Sequence, residues 1–200
     1  MNIAILGNGN VGKQLHSLLN HAHTVQLCSR NATDAHPSYA QGVAFAEVVF
    51  LAIPFTSLAD VLPALRAELK GKIVVDCTNP LNSDWSPLLL GQENSAGEEV
   101  ARLLPDARVV KAFNTIFADV MTPERQVRGG LISTAFIAGD QLDAKAVVMK
   151  LAKDAGFEPL DVGFLKMSRY LEAMAHLNIN IAVAQQGGTN AAFIYHQIKA

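Results

Sequence analysis

The segment ILGNGNVGKQLHSLLN, residues 5–20, decides how the rest of the chain is interpreted, because it contains the pattern Gly-x-Gly-x-x-Gly. Residues 2–6 have the apolar pattern of a strand, and the leucines after the glycines are spaced for one face of a helix over 11–20. A second strand is predicted over 24–28. A strand, a glycine loop, a helix and a further strand form the context in which this pattern binds a dinucleotide.

Each glycine of this motif has a predicted task. Gly7 allows the tight turn after the strand, Gly9 lets the backbone approach a pyrophosphate, and Gly12 lets the helix pack closely on the strand. The free N–H groups and the dipole at the start of the helix favour anionic phosphates. The alternative is a tight turn that binds no ligand. The residues predicted to bind the dinucleotide here are Gly7, Asn8, Gly9, Asn10, Val11 and Gly12.

Strands and helices alternate through the first 163 residues. Further strands are predicted over 48–53, 73–76, 108–113, 132–138 and 157–162, with helices between most of them. This alternation predicts an α/β fold for residues 1–163, a Rossmann-type doubly wound parallel sheet. From residue 165 the chain has a mainly helical pattern to its end, so residues 164–200 are expected to form a C-terminal helical extension.

Composition and charge exclude several classes of protein. Half of the 200 residues are apolar, 17% are charged and the net charge is −2, which favours neither nucleic acid nor a membrane surface as a partner. No apolar run approaches the roughly 18 residues of a membrane helix, and no leader pattern precedes the first strand, so a cytoplasmic protein is expected. Cys28 and Cys77 are predicted to end strands too far apart for a disulfide, and no metal-ligand spacing is present.

The end of the second strand indicates which dinucleotide is bound. A site for NAD usually has Asp or Glu at this point to hold the ribose hydroxyls, and this chain has Ser29 and Arg30 instead. A guanidinium binds a 2′-phosphate through two parallel hydrogen bonds, and a serine hydroxyl adds one. The prediction is therefore NADP(H), held by Ser29 and Arg30. The alternative for Arg30 is an ordinary surface residue.

Three loops that follow predicted strands carry further candidate residues, because ligands in this fold lie across the carboxyl ends of the strands. Asparagine side chains there can bond ribose or carboxamide groups with either end of the amide, although asparagine also stabilises turns. Prolines stiffen the backbone just past the strands. The cofactor-binding residues predicted in these loops are Ala52, Ile53, Pro54, Phe55, Asn79, Pro80 and Asn114.

Candidate catalytic side chains are few. His176, in a segment with a helical pattern, is the candidate that could face the cleft, and the alternative is a histidine on a helix surface. A dehydrogenase acting on an alcohol needs a positioned acid or base, whereas hydride transfer to a flavin-like ring requires mainly that two rings be oriented. The scarcity of acid–base groups therefore favours a ring acceptor.

Several of these motifs together resemble one family. The chain resembles the deazaflavin (coenzyme F420)-dependent NADP reductases, and it is also similar to the cytosolic NADPH-oxidoreductase domain of the six-transmembrane metalloreductases. The resemblance implies hydride transfer between NADP(H) and a deazaflavin such as coenzyme F420 or a flavin (FMN or FAD), including ferric reduction through a flavin. It runs through residues 7–12, 29–30, 50–55, 76–81, 95–99, 110–115 and 156–163.

Two other functions are compatible with the same sequence. One is an imine or keto-acid reductase of the pyrroline-carboxylate or hydroxyacid type, and the other is a non-catalytic redox sensor that binds NADP(H). The expected partners are a small-molecule acceptor and a second copy of the chain. Residues 164–200 are expected to contribute to the acceptor site. Because the tail has more apolar residues than so small a domain can bury, a two-fold homodimer through 165–198 is predicted.

Overall fold

The fold is described from a computed structural model that defines residues 1–198. Nine strands are found in this part of the chain: β1 (Asn2–Leu6), β2 (Thr24–Cys28), β3 (Val48–Leu51), β4 (Ile73–Asp76), β5 (Arg108–Lys111), β6 (Val127–Arg128), β7 (Leu131–Ile132), β8 (Thr134–Gly139) and β9 (Glu158–Gly163). Seven α-helices accompany them: α1 (Asn10–Leu19), α2 (Tyr39–Phe45), α3 (Leu58–Leu69), α4 (Ala96–Leu103), α5 (Pro123–Gln126), α6 (Leu142–Asp154) and α7 (Ser168–Ile179).

Seven of the strands form one sheet in the order β2-β1-β3-β4-β5-β8-β9. The strands from β1 to β5 are parallel, as predicted. The predicted parallel sheet is found with one exception, since β8 runs antiparallel to β5 while β9 is parallel to β8. Parallel neighbours need a crossover that returns the chain to the same end of the sheet, usually through a helix packed on one face. The segment between β5 and β8 has only a 3₁₀ turn, the four-residue α5 and the β6–β7 hairpin.

Helices cover both faces of the sheet, as a doubly wound fold requires. Along β3, Val48 and Phe50 belong to the core layer of α1 and α6, whereas Val49 and Leu51 belong to the layer of α2, α3 and α4. Because both faces are covered, the central strands have continuous apolar runs instead of alternating polarity. The carboxyl ends of β1, β3, β4 and β5 are left at one edge of the sheet, where their loops come together.

The C-terminal segment is helical over less of its length than the sequence predicts. Its helical part is a 3₁₀ turn, α7 and a π-helical turn over Asn180–Ala184, and residues 185–198 have no regular secondary structure. Two glycines at 187–188 disfavour a continued helix. Beyond them the segment binds β8, where the Thr134 N–H donates to the Phe193 carbonyl at 3.0 Å. The prediction of helix is therefore wrong for 185–198, and the last two residues of the predicted extension lie outside the described residues.

The structure bears on two expectations from composition, one about membrane helices and one about the two cysteines. No helix between residues 1 and 198 combines the length and the hydropathy that crossing a bilayer requires. Cys28 and Cys77 are free thiols at the ends of β2 and β4, with β1 and β3 between those two strands.

Candidate functional site

A cleft of about 980 Å³ lies at the carboxyl ends of the parallel strands. Its walls are the glycine loop after β1, the loops after β3, β4 and β5, and one face of α7. The strand order reverses between β1 and β3, and open α/β sheets bind their ligands at such a point. Small-molecule sites usually have volumes of about 300–1,000 Å³, so this cleft is large enough for more than one ring system.

The glycine motif places the N-terminus of α1 at this cleft. Gly9 is the N-cap residue, and the Lys13 N–H donates the first intrahelical hydrogen bond to its carbonyl at 3.0 Å. By helix geometry the N–H groups of Asn10, Val11 and Gly12 have no partner within the helix. No side chain of the described residues caps them, and no acidic residue lies in the first turn. These N–H groups and the helix dipole are therefore available to an anionic group.

The three glycines of the motif differ in whether the fold requires glycine at that position. Gly7 has φ +118°, and a Cβ on it would overlap the Ala52 carbonyl in the loop after β3. A Cβ on Gly12 would overlap the Gly7 carbonyl, so the helix and the turn pack backbone to backbone. A Cβ on Gly9 would meet no atom of residues 1–198 within 4 Å. The fold itself requires Gly7 and Gly12, whereas Gly9 leaves open space that a closely approaching ligand would use.

Ser29 and Arg30 lie just beyond β2, in a loop that folds back on itself. The Ser29 N–H donates to the Pro37 carbonyl at 3.0 Å, and the Ser29 hydroxyl donates to the Asn31 carbonyl. Arg30 is exposed. Burial raises the pKa of the Tyr39 phenol, and the Arg30 charge nearby partly opposes this rise. Neither Ser29 nor Arg30 lines the cleft, and the Arg30 guanidinium has no hydrogen bond or ion pair to another residue of the described chain.

A pair of asparagines joins the loops after β4 and β5 at the cleft. The Asn79 side-chain amide donates to the Asn114 carbonyl (2.8 Å), and the Asn114 side-chain amide donates to Asn79 Oδ1 (2.9 Å). Phe113, with φ +64°, turns the backbone just before Asn114. Asn114 Oδ1 and Thr78 Oγ1 are buried and have no partner in the described chain. Because buried polar atoms normally have partners, these two oxygens fit the hydrogen-bonding groups of a ligand.

The structure brings six of the seven residues predicted in the three loops together at the cleft, whereas Gly7, Asn8 and Gly12 of the glycine loop lie outside its lining. Those that line it are Ala52, Ile53, Pro54, Phe55, Asn79 and Asn114, with Gly9, Asn10 and Val11 of the glycine loop. Pro80 and His176 do not line it and instead contact each other, with 3.0 Å between His176 Nε2 and the Pro80 carbonyl oxygen. A carbonyl only accepts, so Nε2 carries the proton. His176 thus connects α7 to the start of the loop after β4.

Behind the cleft, three charged side chains form a buried ionic network that the sequence analysis did not predict. Lys111 Nζ donates to Asp76 Oδ2 (2.8 Å), to the Thr78 carbonyl (2.6 Å) and to Glu172 Oε1 (2.8 Å). Burial opposes a charge on Lys111, but the two carboxylates outweigh it and raise the lysine pKa above its ordinary value. The available signal was an acidic and a basic residue ending the apolar strands IVVD and RVVK.

Glu172 also connects α7 to the N-terminus of α4. Its carboxylate accepts hydrogen bonds from the N–H groups of Ala96 (2.9 Å) and Gly97 (3.1 Å), where the helix dipole favours a negative charge. A Cβ on Gly97 would overlap Ser168 Oγ of α7, so glycine permits this close approach. The buried network therefore fixes α7 against the sheet.

Arg169 fixes α7 to α4 a second time. Its Nε and Nη2 donate to the Glu98 carboxylate at 2.9 and 2.8 Å, and its Nη1 and Nη2 donate to the carboxylate and carbonyl of Glu93 at 3.0 and 2.6 Å. Burial opposes ionisation of Glu98, but the hydrogen bonds from Arg169 and Ser95 outweigh it and lower the Glu98 pKa below its ordinary value. Ser95 caps α4, since its Oγ accepts from the Glu98 N–H.

Many residues that line the cleft lie outside the predicted set, mainly because they belong to irregular loops. Among the described residues that line the cleft, Cys77 and Asp119 have titratable side chains. Burial raises the pKa of the Cys77 thiol. Asp119 is exposed at the rim and accepts a hydrogen bond from the Thr189 hydroxyl. The lining residues not predicted are Thr56, Cys77, Thr78, Leu81, Asn82, Ser83, Trp85, Phe113, Thr115, Ile116, Phe117, Ala118, Asp119, Ala175, Asn178, Ile179 and Thr189.

The chain is similar in sequence and structure to known proteins. The family model described as NADP oxidoreductase, coenzyme F420-dependent, matches residues 2–80, which include the glycine loop, the Ser29-Arg30 pair and Asn79. A crystal structure described as a putative F420-dependent NADP reductase from Arthrobacter sp. FB24 superimposes with a TM-score of 0.86 at 30% identity. The match covers 98% of this chain and 100% of that chain.

Two curated proteins are also similar in sequence. Metalloreductase STEAP3 of Rattus norvegicus is 35% identical over 187 residues, which are 86% of this chain and 36% of the relative. F420-dependent NADP reductase of Methanothermobacter marburgensis is 30% identical over 151 residues, which are 72% of this chain and 66% of the relative. The chain thus spans about a third of the first relative and just under two thirds of the second. With the family model and the full-length match to the Arthrobacter structure, the chain belongs to the family of coenzyme F420-dependent NADP oxidoreductases.

Proposed function

We propose that this protein transfers hydride between NADP(H) and a planar ring acceptor of the deazaflavin or flavin type. The observation that carries the proposal is a single cleft. It extends from the start of α1, with its free N–H groups, to an apolar region with few acid–base groups. A ring acceptor contains its own electron sink, so the protein needs mainly to orient two rings. The name of one relative, an F420-dependent NADP reductase, supports a deazaflavin acceptor, and the name of the other, a metalloreductase, supports reduction of a metal as a further step.

The pyrophosphate of NADP(H) would lie in the part of the cleft nearest β1, and the 2′-phosphate would lie just outside the cleft, beyond β2. The N–H groups of Asn10 and Val11 at the start of α1 would hold the pyrophosphate, and Gly9 would let it approach closely. Arg30 would hold the 2′-phosphate, because its guanidinium is exposed, and Ser29 would add a hydrogen bond if its hydroxyl turned from the Asn31 carbonyl to the phosphate.

The nicotinamide end fits the floor of the cleft, where Thr78 and Asn114 have side-chain oxygens without partners in the described chain. These oxygens would accept hydrogen bonds from the carboxamide, and NADPH when bound supplies the hydride. Pro54 and Phe55 line the cleft with apolar side chains and would shield a bound nicotinamide from water. The chain's own contribution is therefore binding, orientation and exclusion of water.

An acceptor screen that follows NADPH absorbance tests the proposal. We expect oxidation of NADPH with coenzyme F420, FMN, FAD or riboflavin, and direct passage of deuterium from labelled NADPH to the reduced carbon of a deazaflavin. Turnover with a cyclic imine or a keto acid, and with no flavin or deazaflavin, would favour the alternative reductase. Binding of NADPH without turnover of any acceptor would favour the redox sensor.

The variant His176→Ala tests whether this histidine acts as an acid or as a positioning residue. Since His176 contacts the Pro80 carbonyl, we expect a higher KM for the acceptor and a nearly unchanged single-turnover rate at saturation. A lost general acid typically costs about 10²–10⁴-fold in rate, and a loss of that size would contradict the proposal. The exposed His21 provides the control His21→Ala.

A two-fold homodimer through the C-terminal segment is part of the proposal. Tyr170, Leu177 and Ile181 recur at helical spacing and are 65%, 56% and 43% exposed, whereas Leu171 and Ile179 of the same segment are buried. An exposed apolar stripe of this kind is typical of an interface. Light scattering at micromolar concentration should give the mass of a dimer, and a monomer mass would contradict this part of the proposal.

A further inference from the structure

We infer that Trp85 is the surface on which the acceptor ring stacks, an inference that rests on the proposed function. Trp85 lies on the loop after β4 and lines the cleft, yet its side chain is 55% exposed. It is the only tryptophan in the sequence. A single exposed aromatic residue is ordinary on a protein surface, so the inference depends on how this residue is held and on what surrounds it.

The backbone of Trp85 is held in a conformation that bulky residues rarely adopt. Its φ is +69°, in the left-handed region, where a large side chain is an outlier. Such conformations persist where the surroundings impose them, and they cluster at ligand sites. Glycine would adopt the same φ without steric cost, so the turn alone does not explain a tryptophan at this position.

The loop that carries Trp85 is tied together by its own hydrogen bonds. The Asn82 N–H donates to the Ser86 carbonyl (2.9 Å), and the Trp85 N–H donates to the Asn82 carbonyl (3.0 Å). The Leu88 N–H donates to the Pro80 carbonyl (2.9 Å), which closes the loop at its base. A ring presented by such a loop loses little conformational freedom when a ligand binds, which favours affinity.

The lining of the cleft that contains Trp85 favours binding of the uncharged ring of the acceptor over binding of its charged groups. Leu81, Phe55 and Phe117 line the same cleft, and no Lys or Arg of the described chain does. Asp84 precedes Trp85, and hydrogen bonds from the Ser86 hydroxyl and N–H lower its pKa, so this carboxylate is ionised at neutral pH. A negative charge here disfavours phosphate or carboxylate groups of a ligand, and an uncharged fused ring stacks on indole.

Fluorescence tests the contact without any turnover, since every tryptophan photon comes from Trp85. The protein is saturated with NADP⁺ and titrated with riboflavin and, separately, with 5-deazariboflavin, and free N-acetyltryptophanamide corrects for inner-filter absorption. We expect saturable quenching by at least one of these rings beyond any change that NADP⁺ causes. Quenching by NADP⁺ with no further change on addition of either ring would overturn the inference.

Kinetics test whether the contact matters for the acceptor. Trp85→Gly removes the indole and suits the backbone, and we expect its KM for the acceptor to rise about tenfold, the effect of losing one aromatic stacking partner. Trp85→Phe should restore most of this loss, and the KM for NADPH should stay within about twofold in both variants. Leu89, 84% exposed on the same loop and absent from the cleft, provides the control Leu89→Ala.

The two tests separate the inference from the proposed function. If the wild type reduces flavins and Trp85→Gly has an unchanged acceptor KM, the inference is wrong and the proposed function stands. If no acceptor is reduced while riboflavin or 5-deazariboflavin still quenches Trp85 in a saturable way, the ring site stands and the proposed reaction is wrong. Loss of both signals would contradict both.

Discussion

The two sides of the cleft are built in different ways. The side on which we propose that the nucleotide binds, called the nucleotide side below, is the β1–α1 turn and the ends of β2 and β3, and it depends mostly on short-range backbone geometry, such as the Lys13 N–H bond to the Gly9 carbonyl. The side proposed for the acceptor, called the acceptor side below, is the loop after β4, α7 and the segment beyond it, and it depends on contacts between distant parts of the chain. His176 and Pro80 are 96 residues apart, and Glu172 and Ala96 are 76 apart.

The difference suggests how the two sides can change independently. A short motif supplies the N–H groups and the open space at Gly9 that a pyrophosphate needs. The acceptor side has no such motif, and its shape follows from where the buried network and Arg169 place α7. Variants that weaken α7 should therefore affect the acceptor far more than NADPH, which the following predictions test.

Removal of the central cation of the buried network should have the largest effect. Lys111→Met leaves the Asp76 and Glu172 carboxylates without a counter-charge, and breaking such a buried pair costs about 3–5 kcal/mol. Urea unfolding measures this loss. Where the variant is folded, we expect NADPH affinity to be nearly unchanged and the acceptor KM to rise.

Lys150→Met is the control for this prediction. Lys150, whose side chain is 64% exposed, pairs with Asp154, and a pair open to solvent contributes at most about 1 kcal/mol. Equal losses of stability in the Lys111 and Lys150 variants would show that the buried network does not hold the acceptor side.

Removal of the predicted phosphate contact should affect the nucleotide side alone. Arg30→Ala should weaken NADPH binding by about 10- to 150-fold, because hydrogen bonds to charged groups contribute roughly 1.5–3 kcal/mol. NADH binding and the acceptor KM should hardly change. Titration calorimetry with both nucleotides measures this, and Arg66→Ala, which removes an exposed arginine of α3, is the control. Equal losses for NADPH and NADH would show that Arg30 does not bind the 2′-phosphate.

Substitutions of Gly12 and Gly9 should have different effects, the first on stability and the second on NADPH binding. Gly12→Ala forces a Cβ onto the Gly7 carbonyl and should destabilise the fold by about 1–3 kcal/mol, the usual cost of overpacking. A Cβ at position 9 meets no atom of the described chain, so Gly9→Ala should lose less than about 1 kcal/mol of stability, the cost of a poorer N-cap, while NADPH affinity falls about tenfold through lost phosphate contacts. Urea unfolding and calorimetry distinguish the two effects. A Gly9→Ala protein that binds NADPH normally would contradict the assignment of the pyrophosphate to this turn.

The smallest expected effect is the pH dependence of the Glu98–Arg169 contact. Because the Glu98 pKa is lowered from its ordinary value of 4.5, the contact stabilises the fold above that pH, and this stabilisation is lost as the pH falls through the lowered pKa. Between pH 7 and pH 3.5 the wild type should lose about 2–4 °C more in Tm than Arg169→Gln does. Parallel Tm profiles would show that the contact contributes nothing measurable.

The backbone geometry of the β1–α1 turn could be predicted from the sequence, and the shape of the opposite side of the cleft could not. The glycine spacing, the strand before it and the Ser29-Arg30 pair are local patterns, and local patterns fix backbone geometry within one βαβ unit. Trp85 and Asp119 belong to irregular loops with no periodicity, so nothing in their neighbourhood shows that they share a cleft. Asp76 and Lys111 were visible as charges in apolar strands, but Glu172 as their partner was not.

By itself, the sequence determined the α/β class, the parallel direction of the first five strands and the glycine loop, because periodicity and short motifs specify local structure. Only the tertiary structure decided that β8 runs antiparallel to β5, that residues 185–198 leave the helix to bind β8, and that His176 contacts Pro80 instead of the cleft. These outcomes depend on which distant groups satisfy each other's hydrogen bonds and charges in the folded chain, and no local pattern records that choice.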